Sequence, residues 1–370
     1  MKRAIIILYV SASLCLLSGC HQGIFSSHQD MERLRPIQTI GFDRQEEGIV
    51  MSISSGIGPE DAPPLVMKCA ASSIETAITR LQDYSPEDEL FYAHVQYILL
   101  GQTLAEHSVM PLLSWATRSP TMRTGTCLFI VKGNADTAVT ATGGAETDVT
   151  ERLSTLERES LVRGQHIYTL REVAAALADR GCALCLAVQA YPSTNIIFTD
   201  TKASAALVPV GYAVLQGGAV SAYLSQNETL GAQLLDTGAV GAKLTLSGNA
   251  LELFEGSAQA SGQWDESGKL TGIYVRGTVK AGIQEREEGG ESDIGILQEQ
   301  LHAAAIDAVT AVITRSQTLS CDFLNLEASV TKNAPGHRFS EVAEWETLFP
   351  SLPVTVEIDS EISRSYDLSN

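Results

Sequence analysis

Beyond residue 20 the chain has no apolar run long and pure enough to span a bilayer. It is also short of base, with 25 Lys and Arg against 44 Asp and Glu and a formal charge of −19. That balance argues against nucleic acid as a partner and against direct adhesion to anionic lipid heads. No P-loop, G-x-S-x-G, H-E-x-x-H or dinucleotide fingerprint occurs. The histidines, His21, His28, His94, His107, His166, His302 and His337, are scattered without ligand spacing. No catalytic residue, metal site or cofactor is therefore expected, and the chain reads as a non-enzyme.

What is present begins at the N-terminus. Lys2 and Arg3 precede an apolar core from Ala4 to Leu17, and small residues follow at Ser18-Gly19 before Cys20. That order is a secretory signal peptide, here residues 1–19. Leu17-Ser18-Gly19-Cys20 resembles a bacterial lipobox, in which the Cys20 thiol is acylated and cleavage follows Gly19. Removing residues 1–19 takes the charge from −19 to −21. The polar, turn-rich residues 20–36 suit a tether, and two acyl chains hold a protein stably on a bilayer.

The remaining chain, about 350 residues, is too long for one core. We expect an α+β protein with a domain at 37–140, a middle domain at 141–206 and a C-terminal domain at 207–370. Ser72/Glu75, Thr103/Glu106, Thr169/Glu172 and Ser225/Glu228 have capping-box spacing. Pro111 should divide its helix, Gly181 should end one, and Gly217-Gly218 should turn a hairpin. The longest helix is expected from Asp293 to Arg315, with Ile294, Leu297, Leu301, Ala305, Ala308 and Val312 on one stripe. It should cover a mainly antiparallel sheet. Phe323–Val330 and Pro353–Ile362 read as closing strands.

Five cysteines follow the lipobox: Cys69, Cys127, Cys182, Cys185 and Cys321. Cys182 and Cys185 have C-x-x-C spacing, the one feature open to a thiol-oxidoreductase reading. They fall on a strand, however, where that spacing sends the two sulfurs to opposite faces. Buried, inert thiols are expected.

Three blocks together carry a resemblance. They are "HVQYILLGQTLAEHSVMPLLSWATRSPTMRTGTCLFIVKGNA" from His94 to Ala135, "VGYAVLQGGAVSAYLSQNETLGAQLLDTG" from Val210 to Gly238, and "EWETLFPSLPVTVEIDSEI" from Glu344 to Ile362. In their order and spacing they resemble the spore germination lipoproteins, the Ger(x)C-type C subunits of nutrient germinant receptors. The chain departs from that family after the long helix, where "CDFLNLE" lacks the family's glycine. The resemblance implies a three-domain lipoprotein on the outer face of the inner spore membrane. Its partners would be two integral membrane receptor subunits, and nutrient contact is left open. Only Cys20 transfers as a site residue. The alternative is a solute-binding lipoprotein of a transporter, which should show two similar lobes of parallel strands.

Overall fold

The computed structural model describes residues 34–55, 65–141, 149–192, 205–332 and 342–363. The signal peptide, Cys20 and most of the expected tether lie outside the described residues. The last three tether residues, β1 (Leu34–Pro36), pair in parallel with β5 (Glu89–Phe91).

Eight strands make the larger sheet: β2 (Thr39–Gln45), β3 (Gly48–Ser54), β4 (Val66–Ala71), β6 (Tyr97–Gly101), β7 (Cys127–Val131), β8 (Cys182–Pro192), β9 (Ala205–Gln216) and β10 (Ala219–Tyr223). Their order is β10-β9-β8-β7-β6-β2-β3-β4. The four central strands β2, β6, β7 and β8 are parallel, and an antiparallel pair flanks each side. A parallel centre needs both faces covered. One face is covered by α1 (Ile74–Asp83), α2 (Gln102–His107), α3 (Met110–Arg118) and α6 (Leu170–Arg180), and the other by α4 (Ala135–Ala141) and α5 (Val149–Val162). Along β8 the alternation is complete: Cys182, Leu184, Leu186 and Val188 belong to one core, and Ala183, Cys185 and Ala187 to the other.

The second sheet has four strands in chain order: β11 (Lys243–Leu246), β12 (Asn249–Trp264), β13 (Leu270–Arg286) and β14 (Val354–Ser363). Between β10 and β11 runs α7 (Gln226–Leu235). Between β13 and β14 lie α8 (Ile294–Thr318), α9 (Leu326–Lys332) and α10 (Val342–Leu348). The β13–β14 pairing is parallel, because this helical crossover returns the chain to the same end of the sheet. The expected long helix is α8, capped by Asp293 and burying Leu297, Leu301, Ala305, Ala308 and Val312.

Several expectations need correction. The hairpin β9–β10, assigned to the C-terminal segment, and β8, assigned to the middle one, both pair into the larger sheet. Strand pairing thus crosses the boundaries at 140 and 206, since alternation marks a strand and not its partner. Phe323–Val330 is not a strand. Asp322 accepts from the Leu326 and Glu327 N–H groups and starts helix α9 there, burying Leu326 and Val330 four residues apart. The Ser72/Glu75 box is replaced by a cap at Ser73, whose hydroxyl accepts from Thr76 N–H. The Thr103/Glu106 box is absent, because β6 runs straight into α2 at Gly101 and Gln102 N–H donates to Gly133 O. The boxes at Thr169/Glu172 and Ser225/Glu228 form as expected. Gly181 ends α6 at φ 68°, and Pro111 sits in the first turn of α3, separate from α2.

A charge at Leu301, which is fully buried, would have no partner. Leu301→Asp should lower unfolding free energy by about 3–5 kcal/mol. Gln298→Glu, on the exposed side of α8, should stay within about 0.5 kcal/mol. Chemical denaturation compares them; equal midpoints would remove α8 from its central place. In native thiol labelling Cys182, Cys185 and Cys321, all buried, should stay unmodified until denaturant is added. Rapid labelling of Cys182 and Cys185 together would contradict this packing.

Candidate functional site

No cysteine–histidine or carboxylate constellation suited to catalysis was legible in the sequence. The structure brings together one polar cluster that sequence spacing hides. It lines a cleft of about 610 Å³ where α6 and β8 of the larger sheet meet the end of α7 and the turn after α8. The capping box at Thr169 starts α6 and fixes Glu172. His166 Nε2 lies 3.3 Å from Glu172 Oε1, and its Nδ1 lies 3.9 Å from Asp236 Oδ2. The Tyr168 hydroxyl donates to the same Asp236 oxygen at 3.1 Å, and the His166 and Tyr168 rings are 4.4 Å apart. Burial foremost, and Asp236 after it, push the Tyr168 hydroxyl well above its usual range.

Asp236 follows the last residue of α7. A carboxylate there meets the negative end of the helix dipole, so the hydroxyl and imidazole offset an unfavourable placement. On the far side of the cleft Asp322 accepts from Leu326 N–H (2.8 Å), Glu327 N–H (2.9 Å) and Trp345 Nε1–H (3.1 Å). Burial raises its carboxyl and these donors work against that rise. The glycine-free turn is made by Ser320 and Asn325 with φ of 49° and 57°, a conformation Asn tolerates better than most residues.

This arrangement ties the start of α6 to the end of α7 through the Tyr168–Asp236 hydrogen bond. Among the described residues no group of three or more His, Cys, Asp or Glu is placed to hold a metal. His94, His107 and His302 lie apart from the cluster on a 3₁₀ turn, the end of α2 and the exposed side of α8. His21, His28, His337 and Cys20 are outside the described residues. Cys185 is buried and its thiol pushed far up by burial, its Sγ directed to Leu128 O at 3.1 Å. Cys182 approaches Cys321 instead; their thiol contact and then burial raise the Cys321 thiol.

Glu172 is held below the usual carboxylate range: burial acts upward, but the Thr169 N–H and hydroxyl and His166 outweigh it. A carboxyl depressed on folding adds stability above its unfolded value of 4.5, and that stability is lost as pH falls through the lower folded value. Glu172→Gln should cost about 0.5 kcal/mol at pH 7, allowing for solvent screening. The gap from wild type should close below pH 4.5. Melting scans from pH 7 to 3 test this; a gap constant with pH would sink it.

Comparisons with known proteins add the family. Residues 27–189 match the spore germination protein N-terminal domain. Residues 210–366 match the family described as spore germination B3/GerAC-like, C-terminal. No curated protein matches the chain. The crystal structure of the GerBC protein is similar in fold, with a TM-score of 0.54 at 16% identity over 87% of this chain and 96% of that one. With both halves matched in order, the chain belongs to the Ger(x)C family of spore germination receptor C subunits.

Proposed function

We infer that this C subunit is a lipoprotein, anchored through Cys20 on the outer face of the inner spore membrane. It works there by assembly with two integral membrane receptor subunits rather than by catalysis. The observation that carries the reading is the ordered match of both halves of the chain to the two germination domains. No helix among the described residues is long and apolar enough to cross a membrane. In this reading the attachment falls to the acylated Cys20, the first residue left once the leader is cleaved after Gly19. The burial of Cys182, Cys185 and Cys321 and the contacts that tie Tyr168 and His166 to Asp236 support a scaffold. A transporter's two-lobed solute-binding protein fits less well, because β2–β4 and β6–β10 form one continuous sheet.

Detergent phase partitioning of the mature wild type should place it in the detergent phase. Mass spectrometry should find a diacylglyceryl group on the N-terminal Cys20 peptide, absent in Cys20→Ala. Mature protein in the aqueous phase with an unmodified Cys20 would end the anchoring claim. Mild-detergent purification should recover two multi-span proteins with it; their absence would end the assembly claim.

A further inference from the structure

The start of β8 in the larger sheet faces the turn that follows α8. Cys182 is the first residue of β8 and pairs with Gln216 on β9. The Gln216 side-chain amide reaches across and donates to Leu319 O at 3.0 Å, just ahead of Cys321. Ala183 and Leu184 line the His166 cleft from one side of this junction, and Phe323 and Leu324 from the other. Between these contacts the Cys182 and Cys321 thiols touch. Their side chains, 1% and 3% exposed, belong to the core that joins the two sheets.

Both backbones are tied down. Cys182 sits in the β8–β9 ladder, directly after the left-handed Gly181. At the turn Cys321 N–H donates to Ser316 O at 3.0 Å, and the Ser316 hydroxyl donates to Cys321 O at 2.6 Å. A disulfide forms without backbone movement only where two cysteines are already held close with their side chains converging. The other cysteines point elsewhere. Cys185 faces the opposite core with its Sγ directed to Leu128 O. Cys69 lies on the edge strand β4 with its Sγ directed to Ala77 O, and Cys127 on β7 has Glu157 and Glu172 as charged neighbours.

We propose that Cys182 and Cys321 are oxidised to a disulfide as the chain folds, clamping the larger sheet to the turn after α8. The thiols described above are then the reduced form of this pair. The oxidant is another disulfide, such as oxidised glutathione. The thiolate of one cysteine attacks a sulfur of that disulfide and expels one thiolate. The second cysteine's thiolate attacks the protein sulfur of the mixed disulfide and expels the other. The chain gives up two electrons and two protons, and both protons end on the released thiols. Exchange needs thiolates within reach of the oxidant, so it precedes burial, and the finished core then shields the bond. The bond closes a long loop, from 182 to 321, which restricts the unfolded chain strongly. The pairing does not depend on the anchoring or assembly claims.

Refolding the reduced mature chain in a glutathione redox buffer tests this, with Cys20→Ala present to remove a competing thiol. Burial blocks native labelling in both forms, so alkylation follows denaturation. Mass spectrometry of the digest should find Cys182 joined to Cys321, and Cys69, Cys127 and Cys185 alkylated. Cys185→Ala should keep the cross-link, while Cys182→Ala and Cys321→Ala should each abolish it. The oxidised chain should melt about 5 °C or more above the same chain after reduction. That comparison uses one sequence throughout, so it stands even where an alanine variant folds poorly. Alkylation of all five cysteines after refolding, a cross-link through Cys185, or equal melting of oxidised and reduced chains would overturn the proposal.

Discussion

Helix α7 is buried through its middle, and the two sheets depend on it. Six consecutive residues, Thr229 to Leu234, are buried, which no amphipathic surface helix allows. At its centre Gly231 lies against α8 so closely that a Cβ would sit 2.1 Å from the Ala308 carbonyl oxygen. Only a glycine permits that approach. Polar pairs then hold the crossing: Asn227 donates to Asp307 at 2.7 Å, and Arg315 lies 3.1 Å from Glu228. The same helix meets β9 on one side and β12 on another. The core from Tyr97 in the larger sheet to Ile362 in the smaller one is consequently continuous.

Two buried carboxylates do for loops what α7 does for sheets. Asp43 at the end of β2 accepts from the N–H groups of Ala135 and Asp136, each at 2.7 Å, and so begins α4. Asp322 begins α9 in the same way and also receives the Trp345 indole. Burial raises both carboxyls while the helix N–H groups oppose it. Each is a long-range or turn-borne cap that a local motif search misses, since Asp43 lies 92 residues before Ala135.

The contrast between the two cavities follows from the same geometry. The cleft around His166 is rich in carboxylates already engaged with an imidazole, a phenol or a neighbouring arginine, and reads as a latch between the sheets. The cavity between β9, α7 and β11 is lined instead by Arg163, Lys243 and the side chains of Gln165 and Gln233, with no Asp or Glu.

Much was legible along the chain because it rests on short-range physics. The boxes at Thr169 and Ser225, the left-handed Gly181, the hairpin at Gly217-Gly218 and the opposite faces of Cys182 and Cys185 depend on residues within a turn or two of each other. The apolar stripe of α8 likewise follows from helical spacing. The α+β class and the family blocks were readable for the same reason. Phe323–Val330 misled because Leu326 and Val330 satisfy both a period of two and a spacing of four, and only the Asp322 cap decides between them. The partner of each strand, the parallel return of β14, the meeting of His166 with Asp236 and that of Cys182 with Cys321 arose only on folding. Each joins groups far apart in the chain, and that choice is made by which apolar faces can be buried together.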